Sequence, residues 1–334
     1  MPVSRTAWQA LRLAFSLGLV ALVASRVDLG QMARVLAGAD LRLVVLAWLL
    51  ALGSWVVASY KWRLLLRALG ADAPVRVLLG LNLVGLFYSL FLPGQLGGEV
   101  VKGIKLARYG VSGAKTAVTI GVDRLTGVVA LALLALGGLA LAPETAAGPG
   151  LKLAALGVLL ASLAPLAVLL PASWVGGGLR LGVWLSWGPA RSVLGLVGAL
   201  ANTFLQYRRA PGTLAAALVL SLAIQCVVVA VNYLAALGLG VAVPFLALTW
   251  IVALASILHL VPLSLAGLGV REGAYVVLLQ GYGVSDAEGL GLALVVFGVI
   301  MAQGLVGGVI DLVQGLRLPR HGPAPDGRAM RPED

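Results

Sequence analysis

Residues 210–270 form a run of 61 positions without one Asp, Glu, Lys or Arg. A soluble domain needs charge on its surface, and a stretch this long would have to be covered by protein on every side. Lipid is the simpler cover. The whole chain agrees, because only 11% of its 334 residues are charged while 60% are hydrophobic. The expected fold class is therefore all-α integral membrane, since helices satisfy their own backbone inside hydrocarbon. Residues 1–316 read as one polytopic membrane domain, and residues 317–334, rich in Pro and Gly, as a disordered cytoplasmic tail.

The formal charge of +11 would suggest nucleic acid in a soluble protein. Here the basic residues lie between apolar segments, where they orient the chain with its positive loops inside. No nucleic-acid partner is expected. Cys226 stands alone, and His259 and His321 are the two histidines, so neither a disulfide framework nor a metal or other cofactor is expected.

A membrane helix needs about 20 mostly apolar residues. Six segments qualify: residues 8–25, 43–60, 125–142, 153–170, 214–237 and 289–310. The first resembles a cleaved signal peptide, but a retained span is the preferred reading. Residues 77–115 and 244–282 are apolar yet broken in the middle. If each is a re-entrant hairpin and the N-terminus is cytoplasmic, 19 of the 24 basic residues fall inside. If residues 77–91 crossed fully, the basic clusters at 102–115 and 180–209 would fall outside.

The hairpin reading makes both halves of the chain span, span, hairpin, span, over about 8–143 and 150–311. Three crossings per half is an odd number, so the halves would be inverted. Inverted repeats with broken helices meeting near the midplane are a transporter architecture. The repeat is inferred from pattern alone, with no identity between the halves in view. Smaller signals accompany it. Leu29, Met32, Val35 and Leu36 share a helical face that excludes Arg34, which suits a short interfacial helix. Residues 190–211 read similarly, and Trp48, Trp55, Trp62, Trp174, Trp184 and Trp187 read mostly as interface anchors.

The breaks carry the chemistry. In "FLPGQLGGEVVKG", Pro93, Gly94, Gly97 and Gly98 interrupt the helix, and a new one starts near Gly98 with Glu99 in its first turn and Lys102 beyond. A helix start offers free N–H groups and a positive dipole end to an anion. Glu99 either caps its helix and pairs with Lys102 or titrates in a substrate cavity. In "VPLSLAGLGVREGA", Pro262, Gly267 and Gly269 precede Arg271 and Glu272, with His259 close before. Arg271 presents a planar fork of donors to phosphate or carboxylate, and Glu272 can neutralise it when the site is empty. "VDRLTG" opens the fourth element, with Asp123 and Arg124 at the cytoplasmic edge. An anion-binding cavity between the two tips is the resulting expectation.

These three blocks, in this order, resemble the flippase-like membrane domain of lysylphosphatidylglycerol synthases. The resemblance spans most of the chain and implies a role in moving lipid between leaflets of the plasma membrane. The soluble synthase domain of the bifunctional relatives is not in this sequence, so synthase activity is not implied, and a lipid-biosynthetic enzyme becomes a candidate partner. Where the family commonly carries Asp and Arg in the first block, Glu99 and Lys102 stand here, which keeps charge but loses bidentate contact. The expected function is a non-enzymatic translocase for an anionic or phosphate-bearing phospholipid or isoprenoid-linked lipid. Its alternatives are an ion-coupled carrier for a small anion and an isoprenyl phosphate-processing enzyme, for which only Ser264 and Glu272 lie near Arg271.

Overall fold

The computed structural model describes residues 29–91, 97–141, 210–260 and 269–317, with isolated positions between 153 and 207. The expected spans at 8–25 and, save those positions, 153–170 lie outside the described residues, as do the segment at 190–206 and the tail beyond 317. The described residues are helical: α1 Leu29–Ala37, α2 Leu41–Ala68, α3 Val75–Phe91, α4 Gly97–Ala107, α5 Gly113–Leu141, α6 Pro211–Gly238, α7 Phe245–Leu260, α8 Val270–Gln280 and α9 Asp286–Arg317.

Four of these, α2, α5, α6 and α9, are long and apolar enough to cross a membrane; α2, α6 and α9 each contain one expected span, and α5 covers the expected span at 125–142 up to residue 141. Their outward faces carry large apolar side chains, among them Leu46, Leu49, Val219, Val309 and Leu312, each at least half exposed. In water such a surface would be a liability; against acyl chains it is the required one. α1 is the expected amphipathic helix. Val35 and Leu36 pack on the core while Arg34 is exposed.

Both broken regions fold back on themselves. Leu106 of α4 packs with Leu78 and Leu81 of α3, while at the other end Gly98 abuts the Gly85 carbonyl and Ser89. α3 and α4 are therefore an antiparallel pair. α7 and α8 also pack on each other, and Trp250 near the start of α7 donates to the Tyr282 hydroxyl just past α8 at 3.0 Å. α4 and α8 have 11 residues each, about 16 Å at 1.5 Å per residue. That is roughly half of a ~30 Å apolar core.

The helix ends expose an identity that hydropathy hides. α2 and α6 are each 28 residues long and close on the same turn. The amides of Ala71 and Val241 return to the carbonyls of Leu66 and Ala236, with Gly70 and Gly240 in the left-handed region at φ 66° and 68°, where a β-carbon is strained. Pro74 and Pro244 stand immediately before α3 and α7. α4 and α8 are each followed by the tetrapeptide Tyr-Gly-Val-Ser, at residues 109–112 and 282–285. The two halves repeat one order of elements, and these turns set the register between them.

Packing follows the duplication. α3 lies on α9 as α7 lies on α5, and α2 contacts α3, α5 and α9 as α6 contacts α7, α9 and α5. At the centre α2 and α6 pack along each other in opposite directions. The Asp40 amide before α2 donates to the Gly238 carbonyl that ends α6, while Leu65 late in α2 and Leu69 just past it cluster with Leu214 and Ala217 early in α6. Equivalent helices thus run antiparallel. Close approach of α3 and α9 depends on Gly307, where a β-carbon would collide with the Leu83 carbonyl. Replacing Gly307 with Val should destabilise the protein by about 1–3 kcal/mol, the usual range for overpacking, read as a lower thermal midpoint in detergent. Gly121→Ala, with no neighbour within 4 Å of the new carbon, should leave that midpoint in place.

Candidate functional site

A cavity of about 370 Å³ opens between the two halves. Three pairs of equivalent positions line it from opposite sides: Trp55 and Gln225, Arg124 and Phe297, Gly127 and Ile300. Each pair is equally distant from the matching turn glycines, so the cavity straddles the line about which the repeats exchange. Its walls are mainly apolar, and the charged groups converge from α2, α4, α5 and α8.

Glu99 is the hub of the first-half cluster. Its Oε2 lies 2.7 Å from Lys102 Nζ, and its Oε1 accepts from the Arg124 guanidinium. Lys102 also stacks 5.1 Å from the centre of the Trp62 ring and reaches Asn82 Oδ1 at 3.4 Å. The side chains of Glu99 and Lys102 are only 12% and 13% exposed, while that of Arg124 is 50% exposed. Two cations on one carboxylate leave net positive charge at the cavity, with Arg124 the more accessible donor. The glycine break makes this possible. Gly85 and Gly98 let α3 and α4 approach so closely that a β-carbon on Gly85 would strike the Lys102 stem.

The second-half contribution is Arg271, which lines the same cavity. It donates to Glu272 Oε1 at 2.7 Å and sits 5.1 Å from the Phe297 ring. Its Nε is buried with no hydrogen-bond partner among the described residues. Glu272 has a second duty: its Oε2 accepts from the Gly269 amide at 2.7 Å, capping α8 from its own third position. Gly269 holds φ 85° to make that turn.

Five expected site residues, Glu99, Lys102, Asp123, Arg124 and Arg271, meet in this cavity. Glu272, Gly97, Gly98 and Gly269 do not line it. Glu272 is 5% exposed and acts through Arg271 and the cap, and Gly98 serves helix packing. Gly267 lies outside the described residues, and His259 is in α7 with its side chain outside them. Asp123 and Arg124 do not open the fourth element, since α5 begins at Gly113 and places them well inside it. The signal read as a helix edge was a pair of charges turned to the cavity.

Three further residues come into view. Lys61, counted by sequence among the orienting charges, is 4% exposed and lies 2.9 Å from Asp123 Oδ1. Trp62, expected at the interface, is 2% exposed and donates to Thr119 Oγ1 at 3.1 Å. Trp55 faces the cavity and donates to Gln303 Oε1 at 2.7 Å. A tryptophan near the end of an apolar run reads as an anchor, and only the neighbouring helices reveal that it is a wall. Outside the cavity, Lys105 pairs with Asp311, whose other oxygen accepts from Tyr88 at 2.7 Å, tying α3, α4 and α9 together.

The antiparallel repeat of elements, the apolar outer faces and a cavity with charged groups in its wall describe a membrane protein with an internal cavity. Residues 9–307 match the family described as the lysylphosphatidylglycerol synthase TM region. That is most of the chain, and the chain belongs to this family. No curated protein matches it.

Removing Glu272 strands Arg271 as an unpaired buried charge and uncaps α8. Glu272→Ala should therefore cost about 3–5 kcal/mol, measured as a loss of thermal stability in lipid nanodiscs. The double variant Glu272→Ala/Arg271→Met should recover much of that loss, because the stranded charge is gone.

Proposed function

We propose that this protein is a lipid translocase that moves an anionic or phosphate-bearing lipid between leaflets. The observation that carries the reading is the meeting of Arg271, from the second half, with Glu99, Lys102 and Arg124, from the first, around one cavity. Among the lining residues four cations, Lys61, Lys102, Arg124 and Arg271, face two carboxylates, Glu99 and Asp123. Glu272 behind Arg271 reduces the excess to a single positive charge. At membrane depth an uncompensated charge costs at least about 2.5–3.5 kcal/mol on insertion scales, so the site favours an anion that completes the balance.

In this reading the α3–α4 and α7–α8 pairs are re-entrant hairpins entering from opposite faces. The short α4 and α8 and the antiparallel α2 and α6 support this, as do the pairs of equivalent positions that face each other across the cavity. The headgroup occupies the cavity while the acyl or isoprenoid tails remain in the bilayer. Glu99 holds Lys102 and Arg124 in place when the cavity is empty, and no bond of the lipid is broken. The plasma membrane, with both termini cytoplasmic, is the proposed location, and an enzyme of lipid biosynthesis would supply the substrate. A carrier for a small soluble anion is the second reading, favoured by the same charge excess. The apolar share of the walls, Trp55, Leu86, Leu90 and Phe297 among them, favours the lipid.

Native mass spectrometry of the gently extracted protein should show anionic lipid retained by the wild type. Arg271→Ala should lower that retention at least about tenfold, the worth of one charge-assisted hydrogen bond. In liposomes a fluorescent anionic phospholipid should change leaflets while a soluble anion stays inside; the opposite pattern would favour the small-anion carrier.

A further inference from the structure

Lys61 of α2 lies in the cavity wall and is 4% exposed. Its ammonium has three acceptors on two other helices: Asp123 Oδ1 at 2.9 Å, the Asp123 carbonyl at 3.3 Å and Ser221 Oγ at 3.0 Å. Ser221 in turn donates to Thr126 Oγ1 at 3.2 Å. A polar tetrad at the junction of α2, α5 and α6 is costly in hydrocarbon surroundings, and either the fold needs it or the function does.

The duplication decides between these. Counting from the matching turn glycines, Lys61 corresponds to Val231, Ser221 to Ala51, Thr126 to Val299 and Asp123 to Val296. Val231 and Val299 are buried in one cluster with Ala51 packed against it, so the second half closes the same three-helix junction with apolar side chains alone. Val296 is buried as well. The architecture thus has a charge-free solution at this place and the first half does not use it. Replacing a buried ion pair by apolar residues of similar size is often neutral or stabilising, so packing gives no reason to keep Lys61 and Asp123.

The two partners differ in freedom. Lys61 is anchored by Ser221 and a backbone carbonyl, neither of which depends on the Asp123 carboxylate. The Asp123 side chain is 32% exposed and faces the cavity. We propose that Lys61 is a headgroup-binding residue whose empty-state partner, the Asp123 carboxylate, is an internal stand-in for the phosphate of the ligand. An arriving phosphate takes the carboxylate's place on Lys61, and Asp123 turns toward the cavity beside Arg124. On release Asp123 returns, so Lys61 is never left unpaired, and the return helps expel the ligand. This rests on the anion-site reading above and adds a residue and an exchange step to it.

The exchange makes the two single substitutions act in opposite directions. Asp123→Asn removes the competitor and should tighten binding of phosphatidylglycerol in nanodiscs about tenfold while slowing its movement between leaflets. Lys61→Met should weaken binding at least about tenfold. The double variant Lys61→Val/Asp123→Val, which installs the second half's residues, should fold with an unchanged or raised thermal midpoint and bind weakly. Phosphatidylcholine serves as the zwitterionic control, and sn-glycerol 3-phosphate as the soluble phosphate arm. If both single variants weaken binding alike, or the double variant loses as much stability as Lys61→Met, the pair is structural and the proposal is overturned. If the wild type binds neither phosphatidylglycerol above the control nor the soluble phosphate, the anion site itself is refuted and the exchange falls with it. Opposite effects of Asp123→Asn and Lys61→Met on the soluble phosphate alone would uphold the exchange and refute the lipid as its source.

Discussion

An ionisable group brought among apolar helices needs a counter-charge close by, because hydrocarbon supplies none. The inner charges obey this. Glu99 holds Lys102 and Arg124, Asp123 holds Lys61, Glu272 holds Arg271 and Asp311 holds Lys105. Each pair except Lys102 with Glu99 and Arg271 with Glu272 joins different helices, so meeting the electrostatic demand also fixes how α2 sits on α5 and α4 on α5 and α9. Breaking the helices at glycine makes the pairs reachable. The close approach at Gly85 and Gly98 brings Lys102 against α3 and under the Trp62 ring.

Duplication supplies the frame and divergence supplies the site. Equivalent helices meet antiparallel at α2 and α6, and the cavity lies where the halves face each other, with equivalent residues on opposing walls. Yet the polar content is unequal. Most of it comes from the first half, while the second contributes Arg271, Gln225 and an apolar wall around Phe297. The equivalents of Lys102 and Trp62 are Tyr275 and Asn232, which bond to each other as a neutral pair. One half is specialised to hold charge and the other to hold shape, which a strictly symmetric repeat could not do.

Much of the framework was legible in the residues. The apolar runs gave α2, α5, α6 and α9, and the glycine breaks gave the two folded-back pairs, because hydrophobic length and helix-breaking chemistry are local properties. The pairing of Arg271 with Glu272 was equally legible from adjacency. The duplication was legible only as a pattern of elements. Its direct trace, the Tyr-Gly-Val-Ser turn after α4 and α8, is a short match that gains meaning once helix ends set the register.

The sequence by itself determined that the chain belongs in a membrane, where its helices break and which charges stand at the breaks, since these follow from composition and local backbone preference. Tertiary structure alone decided that Lys61 is a cavity residue and not an orienting charge, that Trp55 and Trp62 are walls and not anchors, and that Asp123 faces inward from the middle of α5. Those assignments depend on which helices stand opposite. Counter-charges that meet across 62 positions of chain, as Lys61 and Asp123 do, leave no periodicity for a local reading to find.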